Sequence, residues 1–324
     1  MRTHGMGELV AGAHLFQDQA GDPELIRRVA SGRAPGLVVL GPTYNPLVRQ
    51  AVLERLLKLN RGFYQSFAEA FGESRARLQP GVLRALEGLA PQADVLDLGC
   101  GNGELAAELG RRGHAGVYVG LDSSEALLAL ARERVKGPGS LFVLADLVDE
   151  GWPGRALEAL AELWALGGSG ARAEARALGG RGKRADSGAA DVTSSRPFDL
   201  IFALAVLHHV PSEGLRIRLL GQAGSLLADG GRLTLSVWNF LASPRLRKRI
   251  VPWEEAGLAE RDLDPGDFLL DWRRGGRGLR YVHHFTEPEL AALAAAADFR
   301  VISSYLSDGG LGLLGRYQVW ERLS

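Results

Sequence analysis

The chain has 324 residues, 46% hydrophobic and 23% charged, and 38 Lys/Arg balance 38 Asp/Glu for a formal net charge of zero. That composition belongs to a globular protein with a large core in one or two domains; neutrality argues against a globally basic nucleic-acid binder but leaves room for a local basic face. The single cysteine, Cys100, excludes an intramolecular disulfide and a multi-cysteine metal site and favours a reducing cytoplasm. Met1 to Ala11 lacks the apolar core of a signal peptide, and no apolar run approaches the roughly 18 residues of a membrane-spanning helix.

Residues 1–45 read as a mixed leader, with a helix from a cap at Asp22 and Pro23 through Val29, then a short apolar run at Leu37–Leu40. Helical periodicity covers Leu47–Leu59 and continues over Phe63–Phe71, and Pro80 opens a helix through Leu89. Strands and helices then alternate. The strands are Val95–Leu98, Gly116–Leu121, Leu141–Leu144, Phe198–Leu204 and Arg232–Trp238. Between them lie helices Gly103–Arg111, Glu125–Val135 (capped by Ser123 or Ser124) and Leu215–Leu227. This order of short apolar strands predicts an α/β fold, a parallel sheet covered by helices on both faces.

Two segments interrupt the alternation. Residues 153–196, rich in Ala, Gly and Arg, predict a helix over Arg155–Leu166 and then a flexible surface insertion, or alternatively a regulatory or RNA-touching arm. Residues 240–282, rich in charge and aromatics, predict a lid or substrate segment whose Arg245–Arg249 and Arg273–Arg280 clusters could touch phosphates, or a solvated cover over a small-molecule pocket. A helix Glu287–Ala297 capped by Thr286 and strands Arg300–Leu306 and Arg316–Glu321 complete the chain.

The most informative stretch is VLDLGCGNG, Val95 to Gly103. A buried strand reaches an acid, Asp97, and then glycines at 99, 101 and 103, a turn that lets the backbone approach a nucleotide-like ligand. Gly101, Gly103 and Ala106 also satisfy a loose dinucleotide fingerprint. Asp97 argues against that reading, because an acid repels a pyrophosphate but attracts the ammonium and sulfonium of S-adenosylmethionine. Further acids end the next two strands: Asp122, placed to hold ribose hydroxyls, and Asp146, which with Leu147 lies where an adenine edge could be read.

This set resembles the class I S-adenosylmethionine-dependent methyltransferases over Val95–Trp238, apart from the insertion, and over the closing strands. The resemblance implies a Rossmann-like, doubly wound, seven-stranded sheet with its last strand antiparallel, a methyltransferase domain over 46–324, and S-adenosylmethionine as cofactor. It implies that Gly99, Gly101 and Gly103 approach the methionine part and that Asp97 orients the ammonium. Asp122 would take the ribose, Asp146 and Leu147 the adenine, and Leu204 and Ala205 would sit beside the sulfonium. Arg75 would reach the cofactor carboxylate or form a surface ion pair. No metal is implied.

A narrower resemblance lies on either side of that core. Phe71, Glu73, Arg75 and Pro80, the AVLHHV run (Ala205–Val210), Val237-Trp238 and RYVHHF (Arg280–Phe285) resemble motifs of the eukaryotic tRNA wobble-uridine carboxymethyl methyltransferases. Gly72, Ser74, Gln79, Val282 and His284 depart from that pattern. This resemblance implies a tRNA acceptor and a small zinc-binding activator protein as partner; the alternatives are a small-molecule acceptor such as a quinone, a lipid or a secondary-metabolite acid, or a non-catalytic module of this fold that serves as a partner. A carboxylate acceptor is already ionised and needs only to be held, by Arg280, Tyr281 or His283. A phenol, hydroxyl or amine gains from a base, for which His209 is the best placed candidate.

Overall fold

The computed structural model describes residues 46–68, 70, 77–137, 139–166 and 197–323. The leader (1–45), the 71–76 stretch that holds Arg75, and 167–196 lie outside the described residues. No helix among the described residues is long and apolar enough to cross a membrane.

The described chain begins with helices α1 (Pro46–Ser66) and α2 (Pro80–Ala85). There follow β1 (Val95–Leu98), α3 (Glu104–Arg111), β2 (Tyr118–Asp122), α4 (Glu125–Arg134), β3 (Ser140–Leu144) and α5 (Trp152–Ala165). The second half holds β4 (Phe198–Leu204), α6 (Glu213–Leu226), β5 (Leu227–Trp238), β6 (Ile250–Val251), β7 (Asp267–Trp272), β8 (Gly278–His283), α7 (Glu287–Ala296), β9 (Phe299–Ser307) and β10 (Gly315–Arg322).

Seven strands form one sheet in the order β3-β2-β1-β4-β5-β10-β9. The pairings among the first five are parallel, and β10 runs antiparallel to both β5 and β9. This is the expected doubly wound α/β sheet. In the middle of the five parallel strands lies β1, every residue of which is buried, as a strand covered on both faces requires. The strand order reverses between β1 and β4, so the ligand crevice of such a sheet lies beyond the carboxyl ends of these strands.

Local signals account for the helix ends. The Ser124 side chain accepts a hydrogen bond from the Leu127 N–H at the start of α4, and Thr286 and Glu289 form a reciprocal capping box on α7. Helix α1 runs unbroken from Pro46 through Ser66, covering the continuous periodicity as far as Ser66, and α2 stops at Ala85 rather than Leu89. Helix α5 buries Trp152, Ala156, Ala159, Leu160 and Leu163, one helical stripe, in the main core. The start of the 153–196 segment is therefore the crossover helix between β3 and β4.

The 240–282 segment contributes a second sheet, β6-β7-β8, antiparallel throughout. One face carries Leu269 and Tyr281, which pack with Val52 and Leu56 of α1 and with Trp253. The other carries Leu270 and Val282, packed against Phe240 and Trp238 at the exit of β5. Helix α1 thereby comes to lie over the carboxyl ends of the main sheet.

Candidate active site

A cavity of about 240 Å³ opens at that edge, lined by the glycine turn, the ends of β1, β2 and β4, the segment after β3 and one stripe of α1. All three glycines of the turn have left-handed backbone, with φ of 76° at Gly99, 55° at Gly101 and 75° at Gly103. A Cβ at Gly99 would strike the Val206 side chain, and one at Gly103 would meet the Ala131 Cβ at 2.9 Å, whereas one at Gly101 would meet nothing within 4 Å. Gly99 and Gly103 therefore pack the turn against its neighbours, and Gly101 faces the cavity.

The three acids sit together along this floor. Asp97 is 3% exposed and accepts a 2.5 Å hydrogen bond from the Tyr118 hydroxyl. Burial pushes its pKa up to about 7; the Tyr118 bond pulls the other way, and the nearby Asp122 charge adds to the rise. Asp122 accepts the Gly101 and Ser124 N–H groups, each at 2.9 Å, and so ties the turn to the end of β2. Burial also holds its carboxyl above the usual range, against those backbone hydrogen bonds. Asp146 accepts the Val148 N–H at 3.1 Å and pairs with Arg61 of α1 at 2.6 Å. Leu147, Leu204 and Ala205 complete the apolar wall. Ala205, a non-glycine residue, is left-handed at φ 58°, and its N–H is held by the backbone oxygen and hydroxyl of Ser236, both at 3.0 Å.

These groups fit S-adenosylmethionine. The open face of Gly101 can accept the methionine backbone, the Asp97 carboxyl suits an ammonium, Asp122 suits ribose hydroxyls and Asp146 an amino group. The structure brings together Asp97, Gly99, Gly101, Asp122, Asp146, Leu147, Leu204 and His209 in one cavity, while Gly103 packs behind the turn against Ala131.

Sequence reasoning missed the roof. Leu57, Asn60, Arg61 and Tyr64 recur at one-face helical spacing and all line the cavity. The Tyr64 hydroxyl lies 2.7 Å from His209 Nε2. His209 Nδ1 lies 3.1 Å from the Tyr281 carbonyl oxygen. Asn60, 6% exposed, donates to the carbonyls of His209 and Tyr281 (3.2 Å each) and accepts the Tyr281 N–H at 2.9 Å. A polar Asn among apolar neighbours on a long helix was the available signal.

Three expected acceptor-holding residues do not line the cavity, and the structure corrects that expectation. Tyr281 is fully buried; its hydroxyl donates to Asp267 at 2.8 Å and accepts from Arg216 at 3.0 Å. His283 is enclosed by two carboxylates, with Nδ1 2.7 Å from Asp267 and Nε2 2.6 Å from Glu289. Arg280 lies in an aromatic box, its guanidinium carbon 4.5 Å from the Trp238 ring centre, 5.0 Å from Phe63 and 5.8 Å from Trp272. Its Nε and Nη1 are buried without hydrogen-bond partners, so ring faces stand in for acceptors. The side chains of Tyr281, His283 and Arg280 hold the small sheet in place. Only the Tyr281 backbone reaches the site, through its bonds to His209 and Asn60.

Comparison with known proteins agrees with this geometry. A family model described as a methyltransferase domain matches residues 69–304. A trans-aconitate 2-methyltransferase of Acidovorax ebreus is 41% identical over 81 residues, 25% of this chain and 30% of the relative. A probable tRNA methyltransferase 9B of Bos taurus is 23% identical over 206 residues, covering 63% and 35% respectively. The matches to these curated relatives span at most 55% of a relative's own length. Among solved structures, a S-adenosylmethionine-dependent methyltransferase of Methanosarcina mazei superposes with a TM-score of 0.50 at 20% identity, covering 76% of this chain and 98% of the other. With its glycine turn, three strand-end acids and sheet order, this chain belongs to the methyltransferase-domain family and has the class I S-adenosylmethionine-dependent fold.

Proposed function

We propose that this protein methylates a small-molecule acceptor with S-adenosylmethionine as the donor. The observation that carries this reading is the roofed cavity: one face of α1 closes over the glycine turn and the three acids. When bound, S-adenosylmethionine supplies a methyl carbon activated by a sulfonium. The chain's residues position the partners and exclude water. Asp97, Asp122, Asp146 and the turn hold the donor, Leu147 and Leu204 flank it, and Tyr64 and His209 face the acceptor.

The charge of the wall favours a small acceptor over RNA. Asp97, Asp122, Asp146 and Glu104 line the cavity against Arg61 and Arg77, and Arg61 is already bonded to Asp146. The arginines of the 240–282 segment include several tied to acids: Arg249 and Arg273 to Asp271, and Arg277 to Glu255. A phosphate backbone calls for a basic approach. The second reading, O-methylation of a carboxymethyl group on a tRNA wobble uridine with a small activator protein, is favoured by the match to the tRNA methyltransferase 9B relative. Incubating the protein with methyl-deuterated donor, a metabolite extract and total tRNA, followed by mass spectrometry, separates the two. Label in a small molecule is the expected result; label only in a tRNA nucleoside overturns the preferred reading.

A further inference from the structure

We propose that Tyr64 is a catalytic residue that takes the acceptor's proton and passes its own to His209, so that the site serves an acceptor with a removable O–H proton rather than a carboxylate. This rests on the methyltransferase reading above and adds the chemical class of the acceptor.

The hydrogen-bond directions come first. The Tyr281 carbonyl can only accept, so His209 Nδ1, 3.1 Å away, carries the hydrogen of that bond. A neutral imidazole then has its lone pair on Nε2, and Tyr64, 2.7 Å away, donates its hydroxyl hydrogen to it. A donating phenolic oxygen keeps acceptor capacity, so the Tyr64 oxygen can receive a hydrogen bond from a ligand in the cavity that both residues line.

The surroundings hold this arrangement in place. Asn60 grips the backbone of Tyr281 and the carbonyl of His209 from the same helix that carries Tyr64. Tyr64 and Asn60 are one helical turn apart, so the Asn60 bonds anchor the helix face that carries Tyr64 against His209 and Tyr281. The Tyr64 and His209 rings meet edge to face at 5.4 Å, and the His208 ring centre lies 4.3 Å from that of His209.

The acceptor class follows from acidity. A carboxylate, with a pKa near 4, is ionised at neutral pH and needs no base, while a phenol near 10 keeps its proton until one is supplied. For a hydroxyl acceptor, the oxygen uses an electron pair to bond the methyl carbon, and the carbon–sulfur pair stays with sulfur. The acceptor's proton moves to Tyr64 as the Tyr64 proton moves to His209 Nε2. The resulting imidazolium returns its proton to solvent after product leaves.

The test uses the full chain, with catechol as the hydroxyl probe and trans-aconitate as the carboxylate probe. Methyl transfer to catechol is expected. Tyr64→Phe should lower kcat roughly 100-fold and flatten the acid limb of the pH profile, with donor affinity by calorimetry unchanged to within about twofold. Independently of any acceptor, 15N spectra of the wild type should show His209 as the neutral Nδ1–H form. A neutral Nε2–H form, an undiminished kcat in Tyr64→Phe, or transfer to trans-aconitate but not catechol would each overturn the proposal. Failure of the wild type to bind S-adenosylmethionine would instead overturn the underlying methyltransferase reading.

Discussion

The floor of the cavity comes mainly from Val95 to Asp122, joined by Asp146, whereas the roof is assembled from Asn60, Arg61 and Tyr64 on α1, His209 after β4 and the backbone of Tyr281 on β8. The bond that ties the floor, Gly101 to Asp122, joins residues 21 apart in sequence. The bond that ties the roof, Asn60 to Tyr281, joins residues 221 apart. Floor geometry is a matter of local backbone conformation, and roof geometry of long-range polar contacts. Substitutions in the two regions should therefore act by different physics.

The largest effect is expected at Gly99. An alanine there must adopt a left-handed backbone and place its Cβ into Val206, which together should cost about 2–5 kcal/mol. At Gly101 the Cβ enters open space, so alanine should cost only about 1–2 kcal/mol. Thermal melts of the two variants measure the gap; equal melting temperatures would show that the floor is not shaped by close packing.

Next comes Asn60→Ala, which leaves buried backbone groups of Tyr281 and His209 without their partner and should cost about 2–3 kcal/mol. It should also reduce turnover more than donor affinity, since it frees the roof and not the floor. A proportional loss of both would contradict that division.

Asp97 sets a pH dependence on the floor. Its folded pKa of about 7 lies above the ordinary 3.8, so the folded state keeps a proton that the unfolded chain releases between those values. Stability of the ligand-free protein should fall as pH rises from about 4 to about 7, by up to about 1.4 kcal/mol per pH unit, and then level off. Asp97→Asn should reduce that slope, leaving the part contributed by Asp122, whose carboxyl pKa burial also raises. Donor affinity should rise over the upper part of the same window, because an ammonium favours the ionised acid. Chemical denaturation at a series of pH values checks the first sign, and calorimetry the second.

Arg61→Ala should have the smallest effect. Its pair with Asp146 is partly open to solvent, with side chains 47% and 22% exposed, so the loss should be under about 1 kcal/mol.

The same contrast explains what could be read from sequence. The strands β1, β2 and β4, the Ser124 and Thr286 caps and the glycine turn were legible because each rests on neighbouring residues. Gly99, Gly101 and Gly103 permit the left-handed backbone that the turn adopts. Tyr64 carries no local mark, because its meaning comes from His209, which topology alone brings near. RYVHHF was legible as unusual but not as framework: Arg280 gains its role from Trp238, Phe63 and Trp272, and His283 from Asp267 and Glu289. The strands β7 and β8 went unread inside the 240–282 segment, because its charged and aromatic residues suggested a lid, while DFLLDW and LRYVH carry apolar residues to both faces of the small sheet.

Calorimetric titration of S-adenosylmethionine into the wild type and Asp122→Ala tests the central claim most directly, with a thermal melt to show that the variant is folded. The wild type should bind saturably, and the variant should bind at least roughly 100-fold more weakly, a difference of about 2.7 kcal/mol. No binding by the wild type, or equal affinity in the folded variant, would contradict the assignment of this floor as the donor site.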